Sequence, residues 1–257
     1  MFKIHNFFNN DDMKKVDEKG AFKIIEYKRD LSVTYDKAVS EYFASQMNIH
    51  RRQLICELGK SSIITQAGAM QWTVGDVNST TGIKGVGDFL KKTIKGSVTG
   101  ESAIKPEYVG TGLLVLEPTY KHILLEDLSN WGGGMLVDDG VFLACHSTVE
   151  QKAIMRSNFS SAALGKEGLF NLELTGQGVV ALESSCPREE LVIIELDNDV
   201  VKIDGSLAIV WSSGLNFTVE RSGKSLIGSA TFGEGLVNVY RGTGRILMMP
   251  VADIKNG

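Results

Sequence analysis

Proline and cysteine are both scarce in this chain of 257 residues, at 4 and 3 respectively. The cysteines, Cys56, Cys145 and Cys186, are odd in number and show no C-x-x-C spacing, which excludes a disulfide framework and the usual thiolate zinc site. Each sits among apolar residues, where cysteine behaves as a small buried hydrophobe, so a reducing, cytoplasmic setting is expected. No apolar run approaches the roughly 18 residues of a membrane-spanning helix. Nor is a secretory signal expected: Met1 to His5 carry no apolar stretch, and Asp11 and Asp12 follow closely. Basic charge is lacking too, the net charge being −4. Non-specific nucleic-acid binding needs a dense basic surface to neutralise phosphates, so nucleic acid is not the expected partner. The basic groups Arg51-Arg52 and Lys91-Lys92 with Lys95 have no interleaved aromatics and read as solvated faces.

Catalytic motifs are equally sparse. The four histidines, His5, His50, His122 and His146, are scattered, whereas a cupin-like metal site needs two His and a carboxylate close together on one strand. No G-x-S-x-G elbow occurs; Ser212-Ser213-Gly214 follows a strand pattern with no helix after it. Asp138-Asp139, Glu189-Glu190 and Asp197 with Asp199 are acidic pairs, but adjacent carboxylates on a strand point to opposite faces, and the first pair sits at an Asp-Gly turn. The sequence therefore offers no catalytic, cofactor-binding or metal-binding residues and implies no cofactor, and the reading leans away from an enzyme.

Glycine, by contrast, is abundant, with 28 residues. Three Gly-x-Gly pairs, Gly110-Thr111-Gly112, Gly176-Gln177-Gly178 and Gly242-Thr243-Gly244, recur at intervals of 66 residues, each leading into an apolar run. A fixed period of this length is the mark of a repeat architecture. Glycine entering a strand permits positive φ or a bulge, so these pairs read as corners; a dinucleotide fingerprint would open a helix instead. An Asp-Gly hairpin recurs in step, from Val137 to Ala144 and from Lys202 to Ile209, with a degraded copy from Leu58 to Thr65. Strands are expected at Leu169 to Leu174 and Leu236 to Tyr240, preceded by Glu167-Gly168 and Glu234-Gly235. Glu101-Ser102 stands in the corresponding place of the first unit, where Lys105-Pro106 implies an edge or bulge.

The expected fold is mostly β: three antiparallel sheet repeats in a pseudo-threefold arrangement like a double-stranded β-helix, with one N-terminal helix. Closing the repeats together would bury their apolar faces and protect their edges. The β domain spans 51–251, in units of approximately 54–118, 119–185 and 186–251. The first unit carries a glycine-rich insert from Val74 to Lys95, with Gly75, Gly82, Gly85, Gly87 and a short helix at Asp88 to Lys92. Residues 1–50 form a further segment packed on this body. It comprises a loose arm to about residue 20, strands at Phe22 to Tyr27 and Leu31 to Tyr35, and a helix capped by Asp36 and running to Met47. Val39, Tyr42, Phe43 and Met47 share one face of that helix. Trp72 and Trp211 read as core residues, and Trp131, before three glycines, as a loop aromatic. Trp211 falls where His146 stands in the preceding unit.

Gly68-Ala69-Met70-Gln71-Trp72, Leu174-Thr175-Gly176-Gln177-Gly178-Val179, Asp204-Gly205-Ser206-Leu207 and Gly233-Glu234-Gly235-Leu236-Val237 resemble the family named for altered inheritance of mitochondria, over about Leu54 to Met249. The resemblance implies a β-rich fold related to the tryptophan RNA-binding attenuator protein, which assembles into rings. For the eukaryotic member it implies a link to mitochondrial organisation; for a bacterial member it implies no established activity. The family defines no catalytic residues, so none carries over. The function expected is a non-enzymatic binding or scaffolding protein that self-associates as a homo-oligomer through strand edges or an end of the body, with an unknown protein or small-molecule partner. RNA binding by fold analogy is the alternative, and a metal-dependent enzyme with an unrecognised site the second. Function is to be sought where the copies differ: the Val74 to Lys95 insert, the N-terminus, and His146 against Trp211.

Overall fold

A computed structural model describes residues 2–8, 10–29, 32–80, 105–155, 170–221 and 236–251. The chain begins with a strand where a loose arm is expected. β1 (Met13–Lys19) pairs with β2 (Phe22–Tyr27) across a turn in which Gly20 has φ +61°. The charged residues of β1 hide this strand from a hydrophobicity reading, because it lies at a sheet edge with little apolar surface to bury. Ser32 to Tyr35 form no strand, and Leu31 lies outside the described residues. Helix α1 (Ala38–Gln46) lies within the expected span, but Lys37 rather than Asp36 holds the N-cap position and no side chain caps it.

The strands that follow are taken in three sets, by the units expected from the sequence, and the sets differ in strand number and in the sheets they enter. The first comprises β3 (Arg52–Leu58), β4 (Ile63–Thr65), β5 (Met70–Thr80) and β6 (Glu107–Leu116). The second comprises β7 (His122–Asp127), the short 3-10 turn η1 (Leu128–Trp131), β8 (Gly134–Val137), β9 (Phe142–His146), β10 (Val149–Met155), β11 (Phe170–Gly176) and β12 (Val179–Ser184). The third comprises β13 (Val192–Asp204), β14 (Ala208–Ser212), β15 (Asn216–Arg221) and β16 (Leu236–Met248). In each set the segment bearing the Gly-x-Gly pair bonds to the set's opening strand and to the strand before it in sequence. Thus β6 pairs with β3 and β5, β12 with β7 while β11 pairs with β10, and β16 with β13 and β15.

The strands gather into two antiparallel sheets rather than three. One has nine strands in the order β1-β2-β3-β6-β4-β9-β12-β7, with β5 also on β6; the other has seven in the order β10-β11-β8-β14-β16-β13, with β15 also on β16. Short strands of neighbouring sets pair with each other, β4 with β9 and β8 with β14, which satisfies edges that three separate sheets would leave open. The ends of the larger sheet come close together, and Lys19 Nζ donates to the Leu125 carbonyl at 2.9 Å, so that sheet curls into a nearly closed barrel.

The Asp-Gly turns form, with Gly140 at φ +72° and Gly205 at φ +64°, but they do not close hairpins. β8 bonds to β11 and β14 while β9 bonds to β4 and β12, so the turn at Gly140 carries the chain from one sheet to the other. Gly176 and Gly178 mark a second crossing, between β11 and β12. Within the expected insert, Val74 to Thr80 is β5 strand, paired residue by residue from Val74↔Leu113 to Thr80↔Glu107. The remainder of that insert, with its glycines at 82, 85 and 87 and the expected helix from Asp88 to Lys92, lies outside the described residues. So do Glu101-Ser102, Glu167-Gly168 and Glu234-Gly235.

Both sheets contribute to one large core cluster, including Leu124, Phe142, Val180 and Leu182 from one and Met135 and Val210 from the other. Trp211 is buried against Phe217 and Tyr240. Trp131 is buried as well, at 2% exposure, against the expectation of a loop aromatic. Gly132, at φ +63°, ends η1, and the Trp131 Nε1 donates to the buried Glu126 carboxylate at 3.2 Å. A large ring whose N–H has a partner can be buried at little cost. Cys56, Cys145 and Cys186 are buried and form no disulfide; burial pushes the Cys56 thiol far up and the Cys145 thiol to about 12.

Candidate functional site

The N-terminal helix presents its apolar side to solvent. Val39, Tyr42, Phe43 and Met47 are 62–76% exposed, and no residue of α1 is buried. Glu41, Ala44 and Ser45 are its less exposed positions. A surface helix ordinarily turns its apolar stripe inward. Here the core is filled by strand residues, and the helix is held by polar contacts. Tyr35, at 97% exposure, and Ile49 flank it in sequence and are exposed too.

The principal anchor is Arg52, which opens β3 and is 4% exposed. Its Nη2 donates to the carbonyl and to Oδ1 of Asn48 at 3.1 and 3.0 Å, its Nη1 donates to the His50 carbonyl at 3.3 Å, and it pairs with Glu26 at 2.8 Å. Asn48 has φ +62°, the left-handed conformation that commonly follows a helix end, so the guanidinium fixes the chain where α1 terminates. Near the other end Tyr120 donates to Glu41 at 3.4 Å and accepts from Arg51 Nε at 3.0 Å. Arg52 is thus a structural clamp and no solvated face. Its signal in the sequence is slight: an arginine directly before the apolar run Leu54 to Cys56 can be paired as readily as solvated. Lys91, Lys92 and Lys95 lie outside the described residues.

The histidines are brought only partly together. His50 and His122 lie beside the Arg52 anchor, where burial foremost and the Arg52 charge next depress the His122 pKa to about 4. His50 Nδ1 is 3.2 Å from the Tyr27 carbonyl. His146 lies elsewhere, stacked on Phe22 with ring centroids 5.1 Å apart. Its Nε2 faces the Ala21 N–H at 3.4 Å and its Nδ1 the Val179 N–H at 3.3 Å. A neutral ring can accept from one of these donors, whereas an imidazolium would present N–H groups to both. Burial accordingly lowers its pKa. A Cβ on Gly20 would stand 2.8 Å from His146 Cε1, so the turn must be glycine for the ring to fit. His146 thus fastens the β1–β2 hairpin beside the second glycine pair, whereas Trp211 packs among Phe217 and Tyr240.

Among the described residues no three His, Cys, Asp or Glu side chains are grouped to hold a metal ion. Asp138 and Asp139 stand at the turn before Gly140, and Asp197 lies in the bulge of β13 with Asp199 directly after it. The buried carboxylate of Glu126 is engaged by Arg188 and Trp131. Among these carboxylates, Asp138 and Asp139 thus serve a turn and Glu126 an ion pair, which leaves the clamped apolar helix as the candidate site.

Two curled antiparallel sheets bearing such a helix define a mostly β protein whose candidate site is a surface. The family model described as Mitochondrial biogenesis AIM24 matches residues 46–251, and the chain belongs to that family. The X-ray crystal structure of a Streptococcus pyogenes protein from a structural genomics programme is similar, with TM-score 0.59 and 23% sequence identity over 93% of this chain and 94% of that one; the likeness is one of fold. No curated protein matches the sequence. The family match begins at the last residue of α1, so nearly all of the exposed helix precedes it.

Proposed function

We propose that this AIM24-family protein is a non-enzymatic binding or scaffolding protein that self-associates. The observation that carries the reading is the exposed apolar side of α1, held in place by the buried Arg52 clamp. Contiguous apolar surface beyond a few hundred Å² on a folded protein marks an interaction site. A rigid surface also loses less entropy on association than a mobile one. The buried, unbridged cysteines suit a reducing compartment and support a cytoplasmic setting. No helix among the described residues is long and apolar enough to cross a membrane. Size-exclusion chromatography with light scattering over a wide concentration series tests the reading: a mass that rises with concentration is expected, and the monomer mass throughout refutes self-association.

A further inference from the structure

We infer that α1 is a dimerisation helix, its apolar face packing on the same face of a second copy of this chain about a twofold axis. The inference rests on the self-association just proposed and assigns its contact surface. Val39, Tyr42, Phe43 and Met47 follow the i, i+3, i+4, i+8 spacing that lines one side of a helix and forms ridges for helix-on-helix packing. A twofold axis lets a single patch be its own complement, so no second apolar surface is required.

Area and charge favour a second copy over other occupants. Tyr42 and Phe43, 62% and 64% exposed, offer about 100–160 Å² each, and with Val39, Met47 and the flanking Tyr35 and Ile49 the exposed apolar area comes to about 500–700 Å², near the ~600 Å² per partner at the small end of stable interfaces. A helix that lies on a membrane carries Lys and Arg along its polar side for anionic headgroups. Between Ala38 and Gln46 there is no basic residue, and the single charge, Glu41, is bonded to Tyr120. The long edge strand β13 is a poorer contact between copies. It carries Glu195, Asp197, Asp199 and Asp204 against one Lys202, and its bulge puts Asn198 at φ +51°. Like charges brought opposite each other and a bulged edge both oppose strand pairing.

The test uses the full chain with Tyr42→Ser and Phe43→Ser combined, and separately with Phe43→Cys. Neither site supports the core, so circular dichroism and thermal unfolding at the lowest concentration should match the unaltered protein. Sedimentation equilibrium should give a dimer for the unaltered chain and an association constant lower by about a hundredfold or more for the double variant. Phe43, near the middle of α1, falls close to its symmetry mate in an antiparallel pair, so Phe43→Cys should form an intermolecular disulfide under mild oxidation. The three native cysteines are buried and give little background. A double variant that dimerises like the unaltered chain overturns the assignment of α1 while leaving self-association standing. An unaltered chain that is monomeric throughout overturns both. A monomer that cosediments with phosphatidylserine–phosphatidylcholine vesicles, and loses this in the double variant, assigns the face to a membrane and overturns the dimer.

Discussion

Replacing Gly110, Gly176 and Gly242 singly by alanine separates two reasons for which glycine is needed at the repeated pair. Gly110 and Gly242 have nearly the same backbone conformation, φ +121° and +119°, so the strain of forcing an L-residue into it, about 1–3 kcal/mol, is common to both. Their surroundings differ. At Gly110 the new methyl would overlap the carbonyl oxygen of Asp76, on the paired strand β5. At Gly242 the nearest atom, the Gly214 carbonyl oxygen, would be 3.8 Å away, an ordinary contact. Gly176 is intermediate, with φ +95° and the Thr148 carbonyl oxygen at 2.7 Å. Relieving the overlap at Gly110 requires β5 and β6 to part. That adds about 1–3 kcal/mol of overpacking to the loss of neighbouring ladder bonds, worth roughly 1 kcal/mol each. Gly110→Ala should therefore be less stable than Gly242→Ala by about 2–3 kcal/mol, which for a chain of this size lowers Tm by about a further 4–12 °C, with Gly176→Ala between them. Calorimetry at one protein concentration, checked by urea unfolding, reads the order. Equal losses in all three variants, or the largest loss at Gly242, would refute the reasoning, because positive φ alone would then account for the glycines.

Two further outcomes follow from the α1 anchor. The His122 pKa is depressed to about 4 in the fold against 6.5 in the unfolded chain, so the unfolded state binds more protons between these values, and stability falls as pH drops from about 6.5 towards 4. The whole displacement corresponds to about 3 kcal/mol, reduced to about 1–2 kcal/mol by solvent screening at this half-buried site; His146 contributes in the same direction. His122→Gln should flatten the decline of Tm between pH 7 and pH 5, and an unchanged decline would exclude His122 as a cause. Arg52→Met leaves the Glu26 carboxylate without its guanidinium and should cost about 3–5 kcal/mol in urea unfolding. It should also speed amide exchange at Ala44 to Asn48, and unaltered exchange there would show that the clamp does not hold the helix.

The β character and turn positions were legible because they rest on local chemistry. Leu172 and Leu174 are buried with Glu173 between them less so, although Asn171, expected on the outer side with Glu173, is buried too, and glycines 140 and 205 make the turns that their Asp-Gly sequences announce. Other features were hidden because they rest on distant partners. Trp131 is followed by three glycines and looks exposed until Glu126 meets its N–H. Arg52 looks solvated until Glu26, Asn48 and His50 surround it. The apolar stripe of α1 was visible as a stripe, but periodicity states only that such residues share a face. Whether that face meets the body depends on what already fills the core.

The sequence by itself determined a mostly β chain with a Gly-x-Gly pair every 66 residues and the membership in the AIM24 family that its motifs suggest. Period, turn propensity and positive φ are properties of short segments, so they survive in the one-dimensional record. Only the tertiary structure decided that the strands form two sheets, that β1 closes on the edge of one, and that α1 turns its apolar side outward. Those outcomes depend on which backbone edges and side chains find partners far along the chain, and nothing in a local pattern names the partner.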